Sequence, residues 1–181
     1  MSQAEPNTSA AEPVSDAFTV RRARTSDVAQ IQRLVDPYVR DKILLGKDTV
    51  VFYEAVQEFR VAVTPDGTLI GCGALHVIWE DLGEVRTLAA SVEWRGRGVG
   101  HALLERLEDD ARELGLSRLF CLTFEVDFFG RHGFEDMGEE TVDPHIYEQL
   151  LLSPDEGVAE FLDLARVKPN TLGNTRMIKR L

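Results

Sequence analysis

Cysteine is scarce in this chain, which excludes a disulfide-dependent scaffold. The two cysteines, Cys72 and Cys121, both stand within apolar runs. Small secreted domains that depend on disulfides carry many more. We therefore expect two buried, inert thiols in a reducing compartment, which favours a cytoplasmic protein.

Long hydrophobic runs and an excess of positive charge are also missing. No segment approaches the ~18 uninterrupted apolar residues that a membrane-spanning helix needs. Lysine and arginine number 20 against 31 aspartates and glutamates, which gives a formal net charge of −11. This balance argues against nucleic acid and against a membrane as partners, since both need a basic surface. It leaves room for a local basic pocket that binds a small anionic ligand.

The length of 181 residues fits one domain. Residues 1–16 are rich in Ala, Ser, Glu and Pro, and they have neither a basic start nor an apolar segment. We therefore interpret them as a disordered N-terminal tail rather than a signal peptide. Residues 17–181 are expected to form the folded domain, and a homodimer is compatible with the sequence.

The order of the predicted elements indicates an α/β (α+β) domain. Alternating residues predict a strand at 18–23, and helical spacing of apolar residues predicts a helix over 28–35. Strands at 59–63 and 68–79 are joined by a hairpin turn at 65–67. With a third strand at 84–91 they give three consecutive antiparallel strands. Later predictions are a helix at about 99–113, a strand at 118–124, a strand from 134, mostly helix at 141–166 and an edge strand at 176–181. We expect a mixed, mostly antiparallel sheet flanked by helices.

The most informative segment is a glycine loop, which reads Arg95-Gly96-Arg97-Gly98-Val99-Gly100. It follows a predicted strand and precedes a predicted helix. Backbone N–H groups at such a helix start have no helical partner and bind anions such as phosphate. The loop lacks the Lys-Ser/Thr pair of a P-loop, and its G-x-G-x-G spacing fits the dinucleotide fingerprint poorly.

Arg95, Gly98 and Gly100 match the pyrophosphate-binding loop of the Gcn5-related N-acetyltransferase (GNAT) family, which this chain therefore resembles over about residues 18–140. Phe128-Phe129 and Gly133-Phe134 resemble the family's aromatic pair followed by Gly-Phe. The resemblance implies acetyl-CoA as co-substrate. It also implies cofactor contacts at Leu88, Ala89, Ala90, Arg95, Gly96, Arg97, Gly98, Val99, Gly100 and His101.

The aromatic pair departs from the family pattern in one respect. Many members carry a tyrosine at the second position, which protonates the departing thiolate. Phe129 has no proton to give. We expect water or another side chain to take that role, since a thiolate is a tolerable leaving group.

Other segments resemble the acetyltransferase domain of the N-acetylglutamate synthases. They are residues 43–45, 71–75, 83–86 and 117–123, and residues 170–177 resemble the end of the short, stand-alone form. The resemblance implies acetyl transfer to the α-amine of L-glutamate or L-glutamine, the first step of arginine biosynthesis. The kinase-like domain of the longer form is absent here, so we expect its arginine-feedback site to be absent too.

Glu84 is the candidate general base. It begins the strand before the glycine loop, where a glutamate could accept the ammonium proton directly or through water. The synthases have a proposed base at the matching position. On the same strand, the family offers the backbone of residues 88–90 to the pantetheine arm and to the thioester oxygen.

An acceptor with two carboxylates requires basic residues and neutral donors in its site. The candidates in this chain are Lys47, Arg86, Asn174, Thr175 and Arg176. The resemblance implies that Lys47 lies near the α-carboxylate and Thr175 near the side-chain carboxylate.

The four histidines, His76, His101, His132 and His145, show no metal-ligand spacing, so we expect no metal site. We interpret His76 and His101 as structural, although His101 could touch a phosphate and His76 could face the groove.

Two alternatives stay open. The acceptor could be another amine, such as a peptide N-terminus, a polyamine or an aminoglycoside, and the acidic composition slightly favours a polycation. The chain could also be a non-catalytic acetyl-CoA-binding regulator, which the missing tyrosine would permit.

Overall fold

The structure is a computed structural model that describes residues 17–170 and 173–181. The expected disordered tail, residues 1–16, lies outside the described residues. Within the described part, seven strands form one sheet in the order β1-β2-β3-β4-β5-β7-β6. The strands are β1 (Thr19–Arg22), β2 (Phe59–Val63), β3 (Leu69–Trp79), β4 (Leu82–Ala90), β5 (Arg118–Thr123), β6 (Glu135–Asp136) and β7 (Thr175–Arg180).

Helices cover both faces of the sheet. They are α1 (Val28–Arg40), α2 (Thr49–Glu54), α3 (Val99–Glu113), α4 (Val126–Arg131), α5 (Pro144–Leu150) and α6 (Glu156–Phe161). Side chains of a strand alternate between faces, so Val61 packs with α1 and α2 whereas its neighbour Ala62 packs with α3. On β5, Phe120 meets Phe161 of α6 edge-on, with ring centroids 5.4 Å apart. The mixed, mostly antiparallel α/β fold that the sequence predicts is confirmed.

The sheet divides between β4 and β5, which are parallel to each other. Their pairing covers only the first residues of each strand and ends where Glu84 faces Phe120. Both strands continue, β4 to Ala90 and β5 to Thr123, but they no longer pair with each other. A wedge therefore opens between them toward their carboxyl ends, and the β4 backbone from Val85 onward faces this wedge.

A β-bulge lies beside the wedge. Cys72 pairs with Ala89 and Ala74 pairs with Arg86, so two residues of β4 stand opposite Gly73. One of them, Thr87, has a φ of 55°, which is rare for a β-branched residue. The bulge bends β4 away from a regular ladder, as an extra residue in one strand does.

Three sequence predictions need correction. β7 is not an edge strand, because β6 pairs outside it over two residues. The strand expected from Phe134 is reduced to those two residues, Glu135–Asp136. The mostly helical stretch at 141–166 is two short helices, α5 and α6, separated by a segment that contains Pro154, which has no N–H for a continuous helix. The two cysteines are buried and free, as predicted.

Candidate active site

A first cavity, of about 420 Å³, occupies the wedge and ends at the glycine loop. β4 contributes Leu88, Ala89 and Ala90, and α4 contributes Phe128 and Phe129. The loop and the start of α3 contribute Arg95, Gly96, Gly98, Val99, Gly100 and His101. We call this space the cofactor cavity.

Arg97 is the one predicted cofactor residue that does not line the cofactor cavity. Its guanidinium lies over the ring of Trp94, 5.2 Å from the ring centroid. Arg97 therefore packs on the outer side of the loop and contributes charge there rather than a contact within the cavity.

The glycine loop requires glycine because of its backbone conformation. Gly98 caps α3 with a φ of 84°, and Gly96 has a φ of 73°. These values lie in the region that L-residues with a Cβ seldom adopt. A Cβ at Gly98 would meet nothing within 4 Å, so free space is not the constraint. The left-handed turn instead directs the first N–H groups of α3 outward, and it leaves room above them for a diphosphate.

Tyr38 supports the glycine loop from α1, a role that was not among the sequence predictions. Its hydroxyl accepts a hydrogen bond from Nη2 of Arg95 at 3.1 Å, and the Arg95 guanidinium lies 5.3 Å from the Tyr38 ring centroid. Tyr38 also lines the cofactor cavity. In the sequence, Tyr38 is only one more residue of an amphipathic helix. No motif marks its contact with Arg95.

A second cavity, of about 370 Å³, adjoins the first. It lies between β4, the loop that carries Lys47, and the start of α6. Six residues line both cavities: Ile43, Leu44, Val85, Arg86, Thr87 and Leu122. The two spaces therefore meet along β4, and we call the second the acceptor cavity.

Glu84 forms a buried wall of the acceptor cavity, since the residue is only 4% exposed. Oε2 of Glu84 lies 3.0 Å from Nη2 of Arg86, but the two groups are not aligned for a hydrogen bond. Burial raises the pKa of Glu84, and the charge of Arg86 only partly opposes this effect. A carboxylate with a raised pKa near the junction of two cavities is suited to accept a proton.

Three cationic residues line the acceptor cavity: Lys42, which is exposed, Lys47 and Arg86. Arg86 is already committed, because its two terminal nitrogens donate to the Asp155 carboxylate at 3.0 and 3.2 Å. Lys47 makes no hydrogen bond or ion pair within residues 17–170 and 173–181. Burial lowers the pKa of Lys47, and the charge of Arg86 lowers it further. A ligand carboxylate beside Lys47 would relieve both effects.

Of the three other predicted substrate residues, only Asn174 lines the acceptor cavity. Its Oδ1 is buried and has no hydrogen-bond partner among the described residues. Thr175 instead pairs with Thr123 in the β5–β7 ladder. The guanidinium of Arg176 donates to the carbonyl of Phe161 at the end of α6 and approaches Sδ of Met137 at 3.6 Å. Thr175 and Arg176 therefore do not line the acceptor cavity, because the first is paired within the sheet and the second is bound to Phe161.

The aromatic pair and the histidines take structural positions around the cofactor cavity. Phe129 is buried and packs edge-on against Phe134. Nδ1 of His101 lies 2.5 Å from Nε2 of His132, so the two rings are joined by a hydrogen bond. His76 lies at the acceptor side, 2.8 Å from Oε1 of Glu58 through Nδ1. Within the described ranges, no group of three or more His, Cys, Asp or Glu could hold a metal ion.

A sheet that divides beside a glycine loop is the architecture expected for the acetyltransferases, and this chain belongs to the acetyltransferase (GNAT) family, whose sequence profile matches residues 28–134. The amino-acid acetyltransferase of Mycobacterium tuberculosis is 56% identical over 161 residues, which cover 88% of this chain and 92% of that protein. The amino-acid acetyltransferase of Pseudomonas putida is 37% identical over 123 residues, which cover 67% of this chain but 28% of that protein.

Solved structures agree with these sequence relatives. A Mycobacterium tuberculosis protein in complex with CoA and NLQ has a TM-score of 0.86 and 55% identity, and the match covers 90% of this chain and 99% of that one. The N-acetylglutamate synthase of Neisseria gonorrhoeae, complexed with coenzyme A and N-acetyl-glutamate, has a TM-score of 0.70 and 27% identity. That match covers 91% of this chain and 35% of the longer enzyme. The resemblance predicted from the sequence is confirmed.

Membrane insertion receives no support from the helices. In the part of the chain that the structure describes, none is both long enough and apolar enough to cross a bilayer.

Proposed function

We propose that this chain is an acetyl-CoA-dependent amino-acid N-acetyltransferase that acetylates the α-amine of L-glutamate or L-glutamine. The observation that carries the proposal is the polarity of the acceptor cavity. Glu84 lies at one wall and the unpaired Lys47 also faces the cavity. A free amino acid presents an ammonium and a carboxylate on one carbon, so it matches a site that offers both a proton-accepting carboxylate and an unpaired cation.

The comparisons support the same proposal. The M. tuberculosis relative is called an amino-acid acetyltransferase, and it matches nearly its whole length. The gonococcal synthase was solved with N-acetyl-glutamate and CoA. The glycine loop and the wedge of this chain would hold the diphosphate and the pantetheine arm of acetyl-CoA, so the thioester would lie where the two cavities meet.

The chemistry begins with removal of a proton. Glu84 takes a proton from the substrate ammonium, directly or through a water molecule, and the nitrogen keeps the electron pair. The neutral amine attacks the thioester carbon, and the carbonyl oxygen becomes an oxyanion. The β4 backbone beyond Val85, which does not pair with β5, can offer N–H donors to that oxyanion. When the tetrahedral intermediate collapses, the C–S bond breaks and CoA leaves as a thiolate.

The thiolate must then gain a proton. Phe129 cannot supply one and is buried in an aromatic cluster. The cofactor cavity is open along the wedge, so water can protonate the thiolate after the C–S bond breaks. Since a thiolate is a weak base, this step does not demand a dedicated acid.

The acidic residues of the acceptor cavity favour one other candidate, an amine acceptor without a carboxylate, such as a polyamine. Two of them are already neutralised: Asp155 by Arg86, and Glu156 by Arg166 at 3.0 Å. Lys47 would repel a second cationic group. These pairings favour the amino acid over the polyamine.

One assay tests the proposal. Release of the CoA thiol is measured with a panel of free amino acids, spermidine and a peptide amine at equal concentration. We expect glutamate or glutamine to give the highest kcat/KM. Faster acetylation of spermidine or the peptide would show that the acceptor is that amine and not an amino acid. No turnover with any amine would favour a non-catalytic acetyl-CoA-binding protein.

We also propose a cytoplasmic location and small-molecule partners only, without nucleic acid or membrane. Burial raises the pKa of the Cys72 thiol to about 12, so this cysteine is inert and suited to a reducing compartment.

A further inference from the structure

Three residues of α6 line the acceptor cavity: Glu156, Gly157 and Glu160. A Cβ built on Gly157 would lie 2.1 Å from Oε2 of Glu84, so the helix backbone rests directly on the Glu84 carboxylate. Residues three apart on a helix share a face. Glu160 therefore lies on the side of α6 that meets Glu84, one turn further along the helix.

Glu160 is as deeply buried as the candidate base. Each of the two glutamates is 4% exposed. Oε1 of Glu160 and Oε2 of Glu84 are both buried and lack a hydrogen-bond partner among the described residues. A buried, ionised carboxylate oxygen without a hydrogen bond is energetically unfavourable. Two such oxygens on one wall favour a state in which a proton is held by the pair.

Charged and titratable residues from several elements surround Glu84 and Glu160. They are Lys47 before α2, Glu58 after α2, His76 on β3, Arg86 on β4, and Asp155 and Glu156 at the start of α6. Burial and, next, the charge of Glu84 raise the pKa of Glu160 to about 7. Arg86 opposes this rise but is shared with Asp155. Because the charge of Glu84 contributes to this rise, the two glutamates titrate as a coupled pair.

We propose that Glu160 is the proton-sharing partner of Glu84, a second carboxyl group that receives the substrate proton after Glu84 has taken it. The N–H bond of the ammonium breaks and an O–H bond forms on Glu84. Glu160 is ionised in the reacting form, so this proton then moves to Glu160, which becomes a neutral carboxyl group while Glu84 returns to a carboxylate. Glu160 lines the cavity and can release the proton to water. No electrons are transferred, and one proton is carried throughout.

This inference rests on the proposed function, since it gives Glu160 a role through Glu84. Glu160 does not touch the substrate in this proposal. It is therefore a positioning residue and not a catalytic one. Its negative charge makes Glu84 a stronger base than an isolated buried glutamate would be, because a neighbouring like charge favours the protonated form.

The test replaces Glu160 by its neutral isostere and follows kcat/KM against pH. In Glu160→Gln, the like charge is gone, so Glu84 should lose its proton more easily. We expect the acidic limb of the profile to move to lower pH by about one unit or more. At the plateau, kcat should fall roughly three- to tenfold, because Glu84 becomes a weaker base.

Two further variants separate charge from structure. Glu160→Asp keeps the carboxyl group and should keep the acidic limb nearer to the wild-type position than Glu160→Gln does. Glu148→Gln removes the same charge from an exposed position on α5 and should leave the limb in place. A limb that does not move in Glu160→Gln, or that moves equally in Glu160→Asp and Glu160→Gln, overturns the proposal.

A measurement without substrate keeps this inference distinct from the proposed function. A pKa raised from 4.5 to about 7 means that the folded state holds an extra proton in that range. This contribution to stability is complete below the lower value and is lost as the pH rises through the upper one. Wild-type stability in urea should therefore decline across this range, and Glu160→Gln should flatten the decline.

The two failures give different results. If no amine is acetylated but the stability decline is present and flattened by Glu160→Gln, the proposed function fails and the coupled pair stands. If amino acids are acetylated but both the pH profile and the stability decline are unchanged in Glu160→Gln, the role of Glu160 fails alone.

Discussion

Tyr38 and Arg95 connect α1 to the glycine loop through a single hydroxyl group. The Tyr38 hydroxyl donates to the carbonyl of Ala90 at 2.5 Å and accepts from Arg95 at 3.1 Å. One side chain therefore holds both the end of β4 and the first residue of the loop. Because both segments line the cofactor cavity, Tyr38 helps to fix their relative positions.

Removal of this hydroxyl should weaken cofactor binding while the fold is kept. In Tyr38→Phe, the ring still packs, but Arg95 and Ala90 lose their shared partner. We expect acetyl-CoA affinity to fall about five- to tenfold, because the loss of both bonds acts on the cofactor only through the position of the loop and should cost roughly 1 kcal/mol of binding. Isothermal calorimetry with acetyl-CoA measures the change. An unaltered affinity would show that the loop keeps its position without Tyr38.

Gly98 offers a test of the loop conformation with a matched control. Gly98 and Gly67 have nearly equal φ values, 84° and 86°, and a Cβ at either would meet nothing within 4 Å. Valine at either position should cost about 1–3 kcal/mol of backbone strain. Only Gly98→Val should also lose acetyl-CoA affinity, by more than tenfold, because its strain falls where the diphosphate approaches. Equal affinities in the two variants would remove the loop from cofactor binding.

The cofactor half of the site could be read from the sequence because its residues are consecutive. Loop, helix start and strand end are each local, so nine of the ten predicted cofactor positions line the cofactor cavity, Arg97 being the exception. The acceptor half depends on tertiary packing. Gly157 and Glu160 reach Glu84 across more than 70 residues of chain, and no spacing rule connects them. Arg176 could not be placed for the same reason, because its bond to the carbonyl of Phe161 is also a tertiary contact.

Glu84→Gln should leave cofactor binding intact and reduce kcat. The amide keeps the shape that fits beneath Gly157 but cannot accept the ammonium proton. We expect kcat to fall by about 100-fold or more at neutral pH. The deficit should shrink at high pH, where more of the substrate amine is already neutral.

The control for that variant is Glu108→Gln. Glu108 is also buried, at 5% exposure, but it pairs with Lys179 outside both cavities. Its change should lower stability and leave kcat near the wild-type value. Wild-type kcat in Glu84→Gln would exclude this residue as the base.

Lys47→Met should affect the acceptor and not the cofactor. The methionine fills the same space without charge, so a bound carboxylate loses the half-buried cation of the acceptor cavity. Lys42 also lines this cavity but is exposed. A charge-assisted hydrogen bond contributes about 1.5–3 kcal/mol, so the acceptor KM should rise roughly 10- to 150-fold. The acetyl-CoA KM should stay within about twofold, and Lys47→Arg should recover part of the loss. A rise in both KM values would instead indicate a general disturbance of the site.

Arg176→Ala should lower stability without changing acceptor recognition, because the structure directs this guanidinium to the carbonyl of Phe161 and away from the acceptor cavity. Truncation leaves that carbonyl without its charged donor, which should cost about 1–3 kcal/mol in the free energy of unfolding. Urea denaturation measures the cost, and initial rates with glutamate and glutamine measure recognition. If the acceptor KM rose tenfold or more while acetyl-CoA binding was unchanged, the side chain would have to turn toward the substrate when it binds. The carboxylate site would then extend from Lys47 to β7, and Arg176, as first expected from the sequence, would belong to it.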